Sequence, residues 1–368
     1  TFAALLGQMP KQWVRHNADG TKCTKPQPWK PKDPNRIVHG YEYEMNKYSA
    51  DMVERYLKVG GLDRAKLKPA FTPFLDEAKD PSGVCEAAPA VVIDSPPPAS
   101  TGNGTVGVGC IQCGAAKRKG PPKAGSGYDG VPGELNRNAC SIAMGCLYGA
   151  RLARPDLLRC VTRLAEQFHN WTSLSSRKLH RMMEYMNTTK DYRQYGFIGD
   201  PFEDLELAIF TDADWASDRS DYKSTTGGLL VLLGPNSFFP LAFLSQKQNG
   251  VSSSTPEAEI VALHAVVKNL GIPTMHYVAI MLGRRKCTLV VYEDNEATQK
   301  ILKNGKYTKS MGHVNRCHGI DLAFLKDVQE KAIIQVRDCH TKAMCADVFT
   351  KYFTDTVAWT HALTLLAI

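Results

Sequence analysis

The 368-residue sequence has no run of 18 or more apolar residues and no apolar signal core near its first residue. The missing apolar run predicts no transmembrane segment and no membrane partner, and the missing signal core predicts an intracellular protein, cytoplasmic or nuclear. The apolar tail at residues 358–368 is too short to cross a bilayer and predicts a terminal helix without an evident packing partner. Because the chain starts at Thr1 rather than Met, we expect a processed or truncated product.

A disulfide framework is missing as well. The 11 cysteines show no even spacing, so we expect reduced thiols in the cytosol or nucleus. Cys110 and Cys113 form a C-x-x-C pair, but no second pair of Cys or His follows at zinc-finger spacing. The sequence therefore disfavours a zinc site there.

Positive charge exceeds negative charge. The formal net charge is +8, which favours an anionic partner such as a nucleic acid. The segment KNGKYTKSMGHVNR contains Lys303, Lys306, Lys309 and Arg316 and no acid. Such a segment is suited to a phosphate backbone, although a solvated surface loop explains it about equally well.

Four carboxylates in the C-terminal half lie in four different local settings. Asp212 follows an alternating strand in LELAIFTDADW, and Glu259 lies about one turn into a helix in TPEAEIVAL. Asp294 follows the short apolar strand CTLVVY, and Asp347 lies on a late helix in CADVFTK. Carboxylates from two strand ends and two helices can converge and hold two hard cations, as in-line phosphoryl chemistry requires.

Each of these acids also has a simpler interpretation. Asp212 and Asp214 share one face of the strand and fit turn aspartates about as well as ligands. Glu259 fits a solvated acid of a first helical turn, and Glu257 is expected to point to the other side and interact with the helix dipole. The string YEDN resembles a YxDD polymerase motif, but Asn295 replaces the second aspartate and no polymerase palm precedes it.

Composition divides the chain into five segments. Residues 1–84 form a mixed, basic segment, and residues 85–134 form a linker too rich in proline, glycine, serine and lysine to order itself. Residues 135–200 show helical periodicity. In residues 204–353, three strands followed by alternating helices and strands predict an α/β fold, a mixed five-stranded sheet with helices on both faces. Residues 354–368 form the terminal tail.

Six strings in a fixed order carry a family resemblance. They are TDADWASD at 211–218, DYKSTTGG at 221–228, LSQKQ at 244–248, SSSTPEAEIVAL at 252–263, YEDNEA at 292–297 and ADVFTK at 346–351. Through them, residues 204–353 resemble the ribonuclease H domain of copia-type LTR retrotransposon Pol polyproteins. Residues 150–158 and 179–192 resemble the connection that precedes that domain, and residues 48–74 resemble the end of the reverse transcriptase.

The resemblance implies a ribonuclease H-like fold that hydrolyses the RNA strand of RNA/DNA hybrids with two Mg²⁺ ions, or with Mn²⁺. Asp212 would bridge both ions, Glu259 and Asp294 would complete one site, and Asp347 the other. Asp214 would be an accessory acid or an alternative ligand, and His340 a mobile proton shuttle. The implied partners are the hybrid and the remaining reverse transcriptase of the same polyprotein, within a virus-like particle if the element is active.

The sequence also departs from the family pattern. Where the family has K-H-I-D, residues 315–325 read NRCHGIDLAFL, with Cys317 and His318 in an altered register, and Met344 replaces an expected Gln. These changes concern substrate contacts more than the metal site. Two alternatives stay open: a catalytically silent remnant or non-catalytic binding module, disfavoured by the survival of all four acids, and a stand-alone host ribonuclease H, disfavoured by the connection segments.

Overall fold

The computed structural model of the protein describes residues 14–16, 22–27, 37–76, 133–218, 221–281, 283, 288–304 and 311–368. Residues 85–132 of the predicted linker, with Cys110 and Cys113, lie outside the described residues. Within the described ranges, none of the helices combines the length and the apolar character needed to cross a membrane.

Strands and helices alternate in the second half of the chain. The strands are β1 (Val14–His16), β2 (Lys22–Gln27), β3 (His39–Tyr43), β4 (Gln194–Ile198), β5 (Glu206–Asp214), β6 (Thr225–Gly234), β7 (Ser237–Lys247), β8 (Leu289–Glu293) and β9 (Ile334–Asp338). The α-helices are α1 (Asn46–Gly60), α2 (Gly133–Leu152), α3 (Leu158–Ala165), α4 (Ser173–Thr188), α5 (Thr255–Val266), α6 (Ile272–Met281), α7 (Glu296–Asn304), α8 (Val314–His318), α9 (Leu322–Glu330) and α10 (Thr356–Leu366).

Seven strands form one mixed sheet in the order β3-β4-β7-β6-β5-β8-β9. Strand β8 runs parallel to β5 and to β9, and the other neighbours are antiparallel. The sequence predicted five strands, which correspond to β5 to β9, so the predicted count was too low. The sheet continues past β7 through β4 and β3. All five residues of β3 are exposed, so β3 has no alternating apolar pattern that could have predicted it.

The central strand β5 is buried on both faces. Leu207 and Ile209 pack into one hydrophobic core, while Ala208 and Phe210 pack into the other. The prediction of a half-buried strand was therefore wrong for β5. The alternation of apolar residues with Glu206 predicted that one face of β5 is solvated, but helices cover both faces of the sheet at this position.

The two cores hold different sets of helices. Residues of α1 to α4 and α10 contribute to one core, and residues of α5 to α9 contribute to the other. The terminal helix α10 has a packing partner, contrary to the expectation from sequence. Trp359 is fully buried, and its indole N–H donates to the Tyr185 hydroxyl at 3.2 Å.

A close approach of two segments determines where Asp347 lies. Asp347 belongs to a short 3-10 helix, Cys345–Phe349, where its string predicted a helix. This helix lies against β6 at Gly227, where an added Cβ would be 2.8 Å from the carbonyl oxygen of Ala346. Any side chain larger than hydrogen would collide there. Because Gly227 pairs with Asp212 in the ladder, the approach brings Asp347 beside β5.

Candidate metal centre

Three of the predicted acids meet at one edge of the sheet. Asp212 lies near the end of β5, Asp294 directly follows β8, and Glu259 lies in the first half of α5. One carboxylate oxygen from each lies within 4.8 Å of the other two. Because β5 and β8 are parallel neighbours, their carboxyl ends reach the same edge, where open α/β sheets bind ligands.

Asp212 is buried, and two residues of the segment after Asp347 contact its carboxylate. The hydroxyl of Thr350 donates to Asp212 Oδ2, and Lys351 Nζ lies 3.7 Å from Asp212 Oδ1. Both neighbours belong to the segment that follows Asp347. The direction of the Asp212 carboxylate therefore depends on that segment as well as on β5.

One carboxylate oxygen of Glu259 lacks a hydrogen-bond partner among the described residues. Its Oε2 is buried and receives no hydrogen bond from the described residues. Burial raises the pKa of Glu259 far above its usual range, and the carboxylates of Glu293, Asp212 and Asp294 raise it further. A buried carboxylate that lacks a counter-charge is costly, so a cation is the ligand that would satisfy this oxygen.

Two acids follow each other at the end of β8. Asp294 is half-buried; burial and the nearby Asp212 raise the pKa of its carboxyl group, while a hydrogen bond from Thr341 lowers it. Glu293 is fully buried and accepts hydrogen bonds from Thr211 Oγ1 and from the backbone N of Asn295, both at 3.1 Å. Burial raises the pKa of Glu293 well above its usual value.

Asp347 lies beside the three acids but is paired with a lysine. Its Oδ1 is 2.7 Å from Lys351 Nζ. Burial and Asp212 raise the pKa of Asp347, and Lys351 lowers it. Asp347 is not one of the three acids whose oxygens converge, and Lys351 lies between it and Asp212.

The two accessory residues occupy different positions. Asp214 lies two residues beyond Asp212 on β5. Burial raises the pKa of Asp214 to about 6, although Arg159 opposes the shift. His340 is exposed and precedes Thr341, which hydrogen bonds to Asp294; its Nδ1 accepts a hydrogen bond from a backbone N–H at 3.1 Å.

The predicted phosphate-binding segment is only partly described. Lys306 and Lys309 lie outside the described residues, and for Lys303 only the backbone, in α7, is described. Arg316 is exposed on α8. The structure therefore places one of these four side chains, on the surface of a short helix.

Glu257 does not have the surroundings expected from sequence. It was expected to point to the other side of α5 and to interact with the helix dipole, and it is 1% exposed. His318 Nε2 lies 3.0 Å from Glu257 Oε1, and His313 Nε2 lies 3.2 Å from both carboxylate oxygens. The backbone N of Ser253 donates to Oε2 at 3.0 Å. This network could not be predicted from local pattern, because the histidines lie 56 and 61 residues away.

Sequence reasoning also left three residues out of the site. Glu293, directly before Asp294, was not among the candidates, although two adjacent acids after an apolar strand were a usable signal. Thr350 and Lys351 end the string ADVFTK. Their roles beside Asp212 arise from tertiary contacts, which the string alone does not reveal.

The donor set fits a hard divalent cation. All converging donors are carboxylate oxygens, which Mg²⁺ and Mn²⁺ prefer over sulfur or imidazole ligands. The buried Oε2 of Glu259, which receives no hydrogen bond from the described residues, supplies independent support. These three residues could therefore hold a metal ion.

Comparison with known proteins gives relatives but no family model that matches. The chain is 29% identical over 212 residues to the Retrovirus-related Pol polyprotein from transposon RE1 of Arabidopsis thaliana, covering 56% of this chain and 13% of that protein. The corresponding protein from transposon RE2 of the same plant is also 29% identical over 212 residues, with 14% of its length covered. The Pol polyprotein from transposon TNT 1-94 of Nicotiana tabacum is 27% identical over 222 residues, covering 60% and 16% of the two chains.

The matched part is a small share of each relative, 13–16% of its length, whereas it is more than half of this chain. What those polyproteins do as whole molecules therefore does not transfer directly. Over 56–60% of its length, the chain is a homologue of the retrovirus-related, copia-like Pol polyproteins of plant transposons.

Proposed function

We propose that the protein is the ribonuclease H of a copia-like Pol polyprotein and hydrolyses the RNA strand of RNA/DNA hybrids. The observation that carries this proposal is the convergence of Asp212, Glu259 and Asp294 within 4.8 Å at one sheet edge. The Pol polyprotein relatives support it, and so does the succession of strands and helices from β5 to β9. In this proposal residues 204–353 are the catalytic domain.

The four acids have distinct proposed roles. Asp212, Glu259 and Asp294 would hold one Mg²⁺ or Mn²⁺, and Asp212 and Asp347 would contribute to a second. Bound divalent cations supply charge that activates the attacking water and stabilises the leaving 3′ oxygen. Thr350 keeps the Asp212 carboxylate in its orientation through the hydroxyl hydrogen bond. Glu259, whose pKa is raised by burial and by neighbouring acids, must lose its proton to act as a ligand.

Proton transfer would fall to two residues near these acids. The pKa of Asp214, about 6, allows this carboxyl group to gain and lose a proton near neutral pH. His340 is exposed in the loop that also supplies Thr341 to Asp294. An exposed imidazole can reach solvent to deliver or remove a proton.

A cleavage assay tests the proposal directly. The wild-type protein, given a labelled RNA/DNA hybrid and Mg²⁺, is expected to cut the RNA strand. Asp294→Asn removes a ligand charge and should lower the rate by roughly a hundredfold or more, since loss of residues that only support a ligand already costs 10- to 100-fold. Circular dichroism should show an intact fold.

The matched control is Asp321→Asn. Asp321 is an exposed acid at the N-terminus of α9, and its carboxylate accepts a hydrogen bond from the backbone N of Ala323 at 2.9 Å. Asparagine caps helices equally well, so this variant should cleave like the wild type. Wild-type activity in Asp294→Asn would overturn the assignment. Hybrid binding by a folded wild-type protein without cleavage would instead favour the non-catalytic binding module.

A further inference from the structure

Lys351 occupies a central position among the acids. Its Nζ lies 2.7 Å from Asp347 Oδ1 and 3.7 Å from Asp212 Oδ1. The side chain of Asp212 is 4% exposed and that of Asp347 16%. The ammonium group therefore lies between two carboxylates that are largely withdrawn from water.

The backbone around Lys351 is fixed from several directions. Its N–H donates to the carbonyl oxygen of Asp347 at 2.9 Å. The carbonyl oxygen of Thr350 accepts a hydrogen bond from the buried Arg159 Nε at 2.9 Å, and the segment lies against Gly227. The packing of this segment therefore determines the position of the Lys351 backbone.

Its charge matters because the site is crowded with acids. Asp212, Glu259 and Asp294 converge, and Asp347 adjoins them. Like charges at this separation repel one another, more strongly in a partly buried site than in water. Of the described residues, Lys351 is the one that makes a salt bridge to both Asp212 and Asp347. An ammonium group there reduces the repulsion between the carboxylates, as a bound divalent cation would.

We propose that the Lys351 ammonium occupies the place between Asp212 and Asp347 that a second divalent cation would take, so that lysine and cation compete for it. This inference rests on the proposed function. One cation binds tightly to Asp212, Glu259 and Asp294, while the second binds weakly because it must displace Lys351. Lys351 therefore sets the metal concentration at which the second position fills, which makes it a positioning residue rather than a catalytic one.

Calorimetric titration of Mn²⁺ into the metal-free full chain, without nucleic acid, tests this. The wild type is expected to show a strong and a weak site that differ by about tenfold or more, within the usual range for coupled binding events. Lys351→Met removes the charge but keeps the length of the side chain. It should tighten the weak site by about tenfold or more and the strong site by less, since the closest contact of Lys351 is with Asp347. Lys351→Arg keeps the charge and should retain a weak second site.

The chain offers a matched control pair. Lys331 Nζ lies 2.7 Å from Asp327 Oδ2, with the same four-residue spacing as Asp347 and Lys351, but both side chains are exposed. Lys331→Met removes the same charge from an equivalent pair outside the site. Its Mn²⁺ titration should match that of the wild type.

The outcomes separate this inference from the proposed function. Equal affinity of both sites in the wild type, or an unchanged weak site in Lys351→Met, would overturn the role of Lys351 even if the protein cleaves hybrid. If Lys351→Met fails to fold, Lys351→Gln replaces it and the wild-type titration still decides. Failure to cleave hybrid, together with the expected titrations, would overturn the ribonuclease assignment alone. A wild type that binds no Mn²⁺ overturns both.

Discussion

Glu257 and Glu259 lie two residues apart on α5, and both are buried, yet their surroundings are opposite. Burial disfavours the charged form of Glu257, but hydrogen bonds from Ser253 and His318 outweigh it and lower its pKa. Glu259 faces other carboxylates, and burial raises its pKa far above the usual range. One turn of one helix thus contains an acid whose charge is satisfied and an acid whose charge is not.

The difference indicates which acid is structural and which is functional. A buried carboxylate with hydrogen-bond donors and a histidine stabilises the fold in its charged form. A buried carboxylate among other acids destabilises the fold unless a cation or a proton joins it, and such groups cluster at functional sites. The sequence could not separate the two residues in this way, because both occur in the single string TPEAEIVAL.

Exchange of each glutamate for glutamine should give the largest effect and the clearest test of this contrast. Glu259→Gln should lower hybrid cleavage by roughly a hundredfold or more and leave the metal-free protein as stable as the wild type or more so, because repulsion is removed. Glu257→Gln should leave cleavage by the folded protein nearly unchanged but reduce the free energy of unfolding by about 1–3 kcal/mol, since His318 loses its anion. Steady-state cleavage rates and urea unfolding of the two variants measure both effects.

The contrast would break down if the two variants exchanged these properties. A stable Glu257→Gln protein with full loss of cleavage would make Glu257 a functional acid. Destabilisation of metal-free Glu259→Gln would show that the carboxylate of Glu259 already has a stabilising partner.

The stability of the metal-free protein should depend on pH in the direction set by the raised pKa values. Acids whose folded pKa is raised contribute stability that is fully present below their unfolded pKa, near 4.5 for Glu259, and lost as the pH rises through the folded pKa. The free energy of unfolding should therefore fall by roughly 4 kcal/mol from about pH 5 to about pH 8 through Glu259 alone. Mg²⁺ should offset part of this fall, with a gain of about 2.7 kcal/mol at a hundred times its Kd.

Denaturant unfolding at several pH values, with and without Mg²⁺, measures this dependence. Glu259→Gln serves as the control, since it should show a shallower fall and a smaller Mg²⁺ effect. Two results would contradict the interpretation of Glu259 as an unsatisfied ligand. One is a wild-type free energy of unfolding that rises over this pH range, and the other is no effect of Mg²⁺ on the free energy of unfolding of either protein.

The smallest predicted effect concerns substrate binding beside the Glu257 network. His313, inside the predicted basic segment, and His318, two residues after it, attach the end of that segment to α5. Replacement of Lys303, Lys306 and Lys309 with Ala should weaken hybrid binding about equally for unrelated sequences, since phosphate contacts carry no sequence information. The salt dependence should become shallower by up to roughly 0.9 log units per lost contact, a slope measured for B-form DNA. Cleavage at saturating substrate should change little.

Binding isotherms from low to moderate salt measure the slope. The control is a triple variant with the same loss of charge outside residues 303–316, Lys66, Lys326 and Lys331 to Ala, all three exposed. If the salt dependence of binding were identical in both triple variants, the basic segment would be a solvated surface loop without phosphate contacts.

Much of the arrangement could be predicted from local sequence pattern. Apolar alternation and short β-branched runs predict the strands β5 to β9. The same patterns place Asp212 and Asp294 at two strand ends. The burial of Glu257, the addition of β3 and the position of Lys351 are not predicted by such patterns. Each depends on contacts between residues far apart in the chain, for which a single sequence contains no local signal.

The parallel pairing of β5 with β8 has a consequence for insertions and deletions. Phe210 lies opposite Tyr292, so Asp212 on β5 and Asp294, directly after the end of β8, are each two residues further along the chain, and their separation follows from the strand spacing of about 4.8 Å. A shift of β5 by one residue would turn Asp212 to the other face of the sheet. Removal of a single residue between Leu207 and Thr211 should therefore abolish the site, whereas a change of loop length outside the strands should spare it.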